Sequence, residues 1–181
     1  RIEIHSFAIL TTHFHLLVRS PEGGLSKSMQ RCQNGYARWF NRRRRRDGPL
    51  FRGRFFSKCV EDEEYWNAVV SYIDRNPVDA GLCREPSSYP WCSARHFARR
   101  SGPLWHSRGV VEAVVKAADN SDEYVPSSYA RVFGDVPASS SWALERELRF
   151  RRKDGDKEDL RLDTPAAVFS WMERKARLAD G

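Results

Sequence analysis

The sequence predicts an α+β fold in which helices dominate the second half. Strand-like segments and amphipathic helices are mixed in residues 1–100, whereas the residues beyond 100 carry mainly helical patterns. Of the 181 residues, 40% are apolar and 30% are charged, which is typical of a folded domain and not of a disordered chain. No apolar run approaches the roughly 18 residues of a membrane span, and no signal segment is recognisable. We therefore expect a cytoplasmic protein without membrane contact.

Three segments have the composition of strands. Residues 1–10 are rich in apolar and β-branched side chains, and residues 13–18 predict a second strand or a continuation past a kink at Thr11 and Thr12. Residues 50–60 alternate aromatic with basic side chains and predict a further strand. A loop at 21–24 and a turn-rich segment at 86–97 separate strands from helices.

Two longer amphipathic helices are predicted in the first half. Apolar residues recur at three- and four-residue steps over 25–40, and this helix starts at the glycine pair or at Ser26. A second helix runs over about 63–75, with Asp62 as N-cap and its end before Pro77. Four shorter helical patterns follow, at 110–118, 124–133, 142–152 and 165–178.

The charge of the chain favours a polyanionic partner. Lys and Arg number 31 against 24 acidic residues, a net charge of +7, and such a surplus attracts nucleic acid whatever its sequence. Because Phe51, Phe55 and Trp39 are interleaved with the basic residues, the segment suits stacking on single-stranded bases. A solvated helix end explains the arginines equally well, and core packing is favoured for the two phenylalanines. The candidate DNA-binding residues are Arg42, Arg43, Arg44, Arg45, Arg46, Arg52, Arg54 and Lys58.

Two histidines indicate half of a metal site. His13 and His15 are two residues apart, so on a strand they project from the same face. On the second helix, Tyr72 and Asn76 share a face because they are four residues apart. Taken alone, each has a structural explanation: a hydrogen-bonded histidine pair, an amphipathic tyrosine and a helix C-cap before proline.

The same residues suit phosphoryl transfer. A phenol is a weak nucleophile at neutral pH because its pKa is near 10, and a divalent cation beside it stabilises the charge that develops on the phosphate. Imidazole ligands favour Mn or Zn over Mg. The four cysteines (Cys32, Cys59, Cys83 and Cys92) form no CxxC pair, so free thiols in core positions are favoured over structural zinc.

Five short segments, in order along the chain, resemble a known family. Residues 8–18 (AILTTHFHLLV) resemble the HUH motif of the IS200-like Y1 transposases. Residues 36–42 (YARWFNR) and 48–55 (GPLFRGRF) are similar to the branch near the REP-associated tyrosine transposases. Residues 72–82 (YIDRNPVDAGL) and 89–93 (YPWCS) are similar to the helix-end signature of that branch and its sequel.

The resemblance implies a fold and a set of roles. The fold would be a ferredoxin-like antiparallel sheet with helices on one face, in residues 1–100. Residues 101–181 match no motif of the family, and their own patterns predict a mostly helical, basic extension of unknown role. His13, His15 and Asn76 would hold Mg or Mn, and Tyr72 would form a 5′-phosphotyrosine link. The substrate would be single-stranded or hairpin DNA, handled by a monomer or a homodimer without ATP.

The sequence also departs from the family pattern. A Pro-Asn pair usually precedes the first His, where this chain has Thr11 and Thr12. The expected upstream strand is missing as well, so we expect an N-terminally truncated chain whose sheet lacks a member. Two alternatives to a DNA-joining enzyme therefore stay open: a non-catalytic relative that binds hairpin nucleic acid, and a zinc-stabilised structural domain.

Overall fold

The computed structural model describes residues 1–134. Two antiparallel strands, β1 (Glu3–Ile9) and β2 (Phe14–Arg19), form a two-stranded sheet. Five helices follow: α1 (Leu25–Arg44), α2 (Glu63–Asp79), α3 (Ser93–Ala98), α4 (Gly109–Ala118) and α5 (Pro126–Phe133), with a 3-10 turn at Pro86–Ser88. The α+β class is thus confirmed. No helix of this part of the chain is both long and apolar enough to cross a membrane.

The sheet is smaller than expected. A full ferredoxin-like sheet is not seen in residues 1–134, and the strand predicted at 50–60 is wrong because those residues form bends and extended loop. The free edge of β1 is bonded by loop backbone: Ile9 donates to the Trp91 carbonyl at 2.9 Å, and Ser107 donates to the Ile4 carbonyl at 2.9 Å. Residues 91–107 thereby form hydrogen bonds with backbone groups of β1 that a neighbouring strand would bond in a larger sheet.

Helix α1 is longer than predicted at its C-terminal end. It begins after Gly24, whose φ of 80° lies in the left-handed region that glycine tolerates, so the glycine pair and not Ser26 starts it. It continues to Arg44, and Arg45 ends it in the left-handed conformation, with the Arg46 N–H donating to the Asn41 carbonyl at 3.0 Å. The first three arginines of the run thus belong to the last helical turn, where positive charge is favourable.

Helix α2 begins as predicted and ends later. Asp62 is its N-cap: the side chain accepts from the Tyr65 N–H at 2.7 Å, a bond typically worth about 1 kcal/mol. The expected end before Pro77 is wrong, because the helix continues to Asp79. A proline this close to the end removes only one helical bond, that to the Ile73 carbonyl, and the remaining packing holds the turn.

The main core joins the sheet to the later helices. Its buried apolar residues come from β1 and β2 (Ala8, Leu17), from α2 (Val70, Ile73) and from α3 to α5 (Phe97, Val111, Val115, Tyr129, Phe133). Residues on both sides of the boundary expected at 100 share this core. The helices predicted at 142–152 and 165–178 lie outside the described residues, and the domain division stays a prediction.

Candidate active site

The histidine pair lies at the start of β2. His13 precedes the strand and His15 is in it, opposite Ala8 of β1. The two rings are 5.0 Å apart between centroids and nearly perpendicular. The two imidazoles are therefore close enough to face one small ligand.

Helix α2 brings a third aromatic ring to this pair. The Tyr72 ring lies 5.4 Å from the His15 ring, edge to face. Tyr72 is 6% exposed, so its ring is held between the helix and the sheet. The chain places Tyr72 far from His15 in sequence, and the packing of α2 on both strands brings the two rings together.

Asn76 completes the group one turn later. Its Nδ2 donates to the Tyr72 carbonyl at 2.8 Å, which fixes the amide and leaves its oxygen as the acceptor. The same side chain raises the pKa of His15, as an oxygen facing the imidazole would. Asn76 is inside α2, whose C-cap is Ala80, so the expected alternative of a helix C-cap at Asn76 is wrong.

Burial keeps the His15 imidazole neutral. Desolvation, aided by the neighbouring His13, lowers its pKa to about 4, so that at neutral pH the ring has no positive charge that would repel a cation. Its Nε2 is buried, and no group in the described residues bonds it in hydrogen-bond geometry, although Asn76 lies near the ring. In the tautomer with the proton on Nδ1, Nε2 presents a lone pair that a divalent cation can accept.

The donor set is two imidazoles and one amide. No group of three or more His, Cys, Asp or Glu side chains that could hold a metal occurs in residues 1–134. That finding counts against the structural zinc alternative in this part of the chain. The cysteines are all free thiols, and Cys59 is exposed, so the expectation that all four fill core positions is wrong for that one.

The predicted DNA-binding residues lie mostly on the surface. Phe51 packs against Tyr36 at 6.3 Å and Phe14 at 6.5 Å, which brings residues 50–55 next to β2, on the face opposite His15 because strand neighbours alternate. Arg46 is half-buried, with its guanidinium 5.9 Å from the Phe40 ring centre. The other seven residues are exposed: Arg42, Arg43, Arg44, Arg45, Arg52, Arg54 and Lys58.

A family model matches the part of the chain that holds both strands, α1 and most of α2. Residues 1–76 match the family model described as Transposase IS200 like. This IS200-like region covers 76 of the 181 residues and ends at Asn76, so it contains both histidines and the tyrosine. No curated protein and no solved structure matches the chain.

Two residues in or next to the elements that carry His13 and Tyr72 were not anticipated from the sequence. Thr12 Oγ1 lies 3.0 Å from Nδ1 of His13, in the position where the sequence departs from the family pattern. Asp74, two residues after Tyr72, is 2% exposed and accepts hydrogen bonds from two other helices or their flanks. The sequence did contain a sign of its burial. Asp74 falls four residues after Val70 and three before Pro77, so it is an acidic residue on the apolar face of α2.

Proposed function

We propose that the chain is a metal-dependent transposase of the IS200-like Y1 type, which cleaves and joins single-stranded DNA at Tyr72. The observation that carries this proposal is the edge-to-face contact of the Tyr72 and His15 rings at 5.4 Å, with Asn76 turned to the same imidazole. The family match over 1–76 supports it independently. The motifs shared with the REP-associated branch favour hairpin-ended substrates.

In the proposed reaction the Tyr72 hydroxyl oxygen attacks a backbone phosphorus. A bond forms between the phenol oxygen and phosphorus, the bond from phosphorus to the 3′ oxygen breaks, and the departing 3′-hydroxyl takes up a proton as the phenol loses one. The DNA end stays attached as a 5′-phosphotyrosine, and attack by another 3′-hydroxyl reverses the step and joins strands. His13, His15 and the Asn76 oxygen would hold Mg or Mn, which supplies charge stabilisation to the phosphate oxygens.

The exposed arginines would hold the DNA strand. Arg43 lies with its guanidinium 5.8 Å from the Trp39 ring centre, and Lys58 lies 4.8 Å from the Tyr65 ring centre. Cations beside aromatic rings suit a strand whose phosphates and bases are both accessible.

The test is covalent capture of DNA. Wild-type protein, incubated with a hairpin-ended single-stranded oligonucleotide and Mn or Mg, is expected to give an adduct that survives denaturing electrophoresis. Tyr72→Phe removes the nucleophilic oxygen and leaves the ring, so the adduct should disappear. Tyr124→Phe should still react, because Tyr124 is buried away from the site and its hydroxyl donates to the Phe97 carbonyl at 3.0 Å. Equal adduct from wild type and Tyr72→Phe would show that another residue is the nucleophile.

The buried position of Tyr72 favours one alternative, a relative that binds hairpin DNA without cutting it. The same experiment separates the two functions, because such a protein would shift the oligonucleotide on a native gel, independently of EDTA, and form no adduct. Its binding should weaken steeply with salt.

A further inference from the structure

A buried carboxylate lies on the opposite side of α2 from the reacting group. Asp74 is two residues after Tyr72, and at 3.6 residues per turn their side chains leave the helix in roughly opposite directions. Tyr72 faces the histidine pair, whereas Asp74 faces α3 and α5. Asp74 therefore cannot take part in the chemistry directly.

Donors from two other elements converge on this carboxylate. The Ser93 hydroxyl donates to Oδ1 at 2.9 Å, and the Cys92 thiol lies 3.5 Å from the same oxygen. The Tyr129 hydroxyl of α5 donates to Oδ2. A buried acid is costly without partners, and these donors supply them.

Ser93 also reaches the sheet that carries the histidines. Its hydroxyl oxygen accepts from the Phe7 N–H at 3.0 Å and lies 3.0 Å from Oγ of Ser6. The Phe7 carbonyl, at 3.1 Å, is a second acceptor for the single Ser93 proton besides Asp74. Both residues are on β1, and the next residue of that strand, Ala8, is paired with His15 of β2. Ser93 thus connects Asp74 to β1, the strand that is paired with β2 at His15.

We propose that Asp74 is a positioning residue that fixes the rotation of α2, so that Tyr72 and Asn76 face His15. Apolar contacts such as those of Val70 and Ile73 are non-directional, so they fix the rotation of a helix less sharply than directional bonds do. Hydrogen bonds are directional, so a carboxylate tied to β1 through Ser93 sets one orientation. This inference rests on the proposed function, since it concerns the same tyrosine.

Three variants test the role. Asp74→Ala removes both acceptors, Asp74→Asn keeps one acceptor oxygen, and Ser93→Ala cuts the link to β1. Tyr124→Phe is the matched control, because Tyr124 is equally buried and its hydroxyl donates to the Phe97 carbonyl at 3.0 Å, outside this network. The initial rate of adduct formation is measured at saturating hairpin oligonucleotide with Mn, together with the Kd for that oligonucleotide.

A second measurement is independent of activity. In isotope-labelled protein without metal or DNA, the nuclear Overhauser cross-peak between the Tyr72 and His15 rings reports their contact directly. We expect Asp74→Ala to weaken this cross-peak and to slow adduct formation by roughly ten- to a hundredfold, with an oligonucleotide Kd within about twofold of wild type. Asp74→Asn should retain more activity than Asp74→Ala, and Tyr124→Phe should retain both the rate and the cross-peak.

The outcomes separate the two proposals. If wild type forms no adduct, the proposed function fails, and the cross-peak alone decides whether Asp74 positions the ring. If folded Asp74→Ala keeps the wild-type cross-peak and rate, the positioning role is wrong. Equal slowing in Tyr124→Phe would likewise overturn it, because a general loss of stability would then explain the effect. If Asp74→Ala does not fold, Asp74→Asn and Ser93→Ala give the same readouts.

Discussion

The hydroxyl of Thr12 orients one of the two candidate metal ligands. Its Oγ1 lies 3.0 Å from Nδ1 of His13. In the tautomer with the proton on Nδ1, that N–H donates to Thr12 and Nε2 is the ligating nitrogen. A second hydrogen bond of this kind fixes the tautomer of a ligating histidine and raises its basicity. Thr12 thus orients the His13 ring at a position where the sequence departs from the pattern of the IS200-like transposases.

We predict that Thr12→Val weakens metal binding. The substitution keeps the shape of the side chain and removes the oxygen, and loss of such a partner typically lowers metal affinity by roughly ten- to a hundredfold. Isothermal titration of Mn into the purified protein measures the change. Thr11→Val is the matched control, since Thr11 is an equally exposed neighbour. Equal affinities for the two variants would remove Thr12 from the site.

At the scale of elements, the C-terminal end of α1 concentrates positive charge. Arg42, Arg43 and Arg44 form the last turn and Arg45 ends the helix, all with exposed side chains. The apolar residues that anchor this end, Tyr36, Phe40 and Leu50, form a small core of their own. The small core holds this helix end in place while its arginine side chains stay exposed to solvent. A surface that binds a DNA strand would need both properties.

We predict that the double variant Arg42→Ala, Arg43→Ala binds single-stranded DNA more weakly and with a shallower salt dependence. Each phosphate contact on a single strand contributes about 0.7 to the slope of log affinity against log salt, so the slope should fall by about 1.4. Fluorescence anisotropy at several salt concentrations measures it. Arg99→Ala, Arg100→Ala is the control, because these exposed arginines end α3. An unchanged slope in the first variant would place DNA elsewhere.

At the scale of the whole molecule, buried histidines make stability depend on pH. Desolvation lowers the pKa of His15 and His96 to about 4 and that of His106 to about 3. Between these values and 6.5 the unfolded chain binds more protons than the folded one, so stability is lost as the pH falls. Asp74 acts in the opposite sense, because burial raises its pKa to about 6 and the folded state then binds the extra proton.

We predict that the urea midpoint rises from pH 4.5 to pH 6.5, since three histidines outweigh one carboxyl group over this range. His106→Phe should flatten the rise, because it keeps an aromatic ring against Phe7 and Phe97 and removes one titrating group. Urea unfolding followed by circular dichroism at several pH values measures the midpoint. A midpoint that falls over the same range would show that the Asp74 carboxyl dominates.

The sequence by itself determined those features that depend on local chemistry. Periodicity predicted α1, α2, α4 and α5, because an amphipathic helix needs only its own spacing of apolar residues. The cap at Asp62 and the paired histidines could also be predicted, because each depends only on residues a few positions away in the sequence. The end of α2 was not, because tertiary packing overrides the usual effect of Pro77.

Only the tertiary structure decided which residues pair with the edge of β1 and which side chains contact each other across α2. Residues 50–60 have the composition of a strand, yet the open edge of β1 is bonded by Trp91, Ser93 and Ser107. The contact of Tyr72 with His15, and the burial of Asp74 behind it, likewise join residues far apart in the chain. Such contacts are selected by the packing of the whole core, and no local pattern of side chains specifies them.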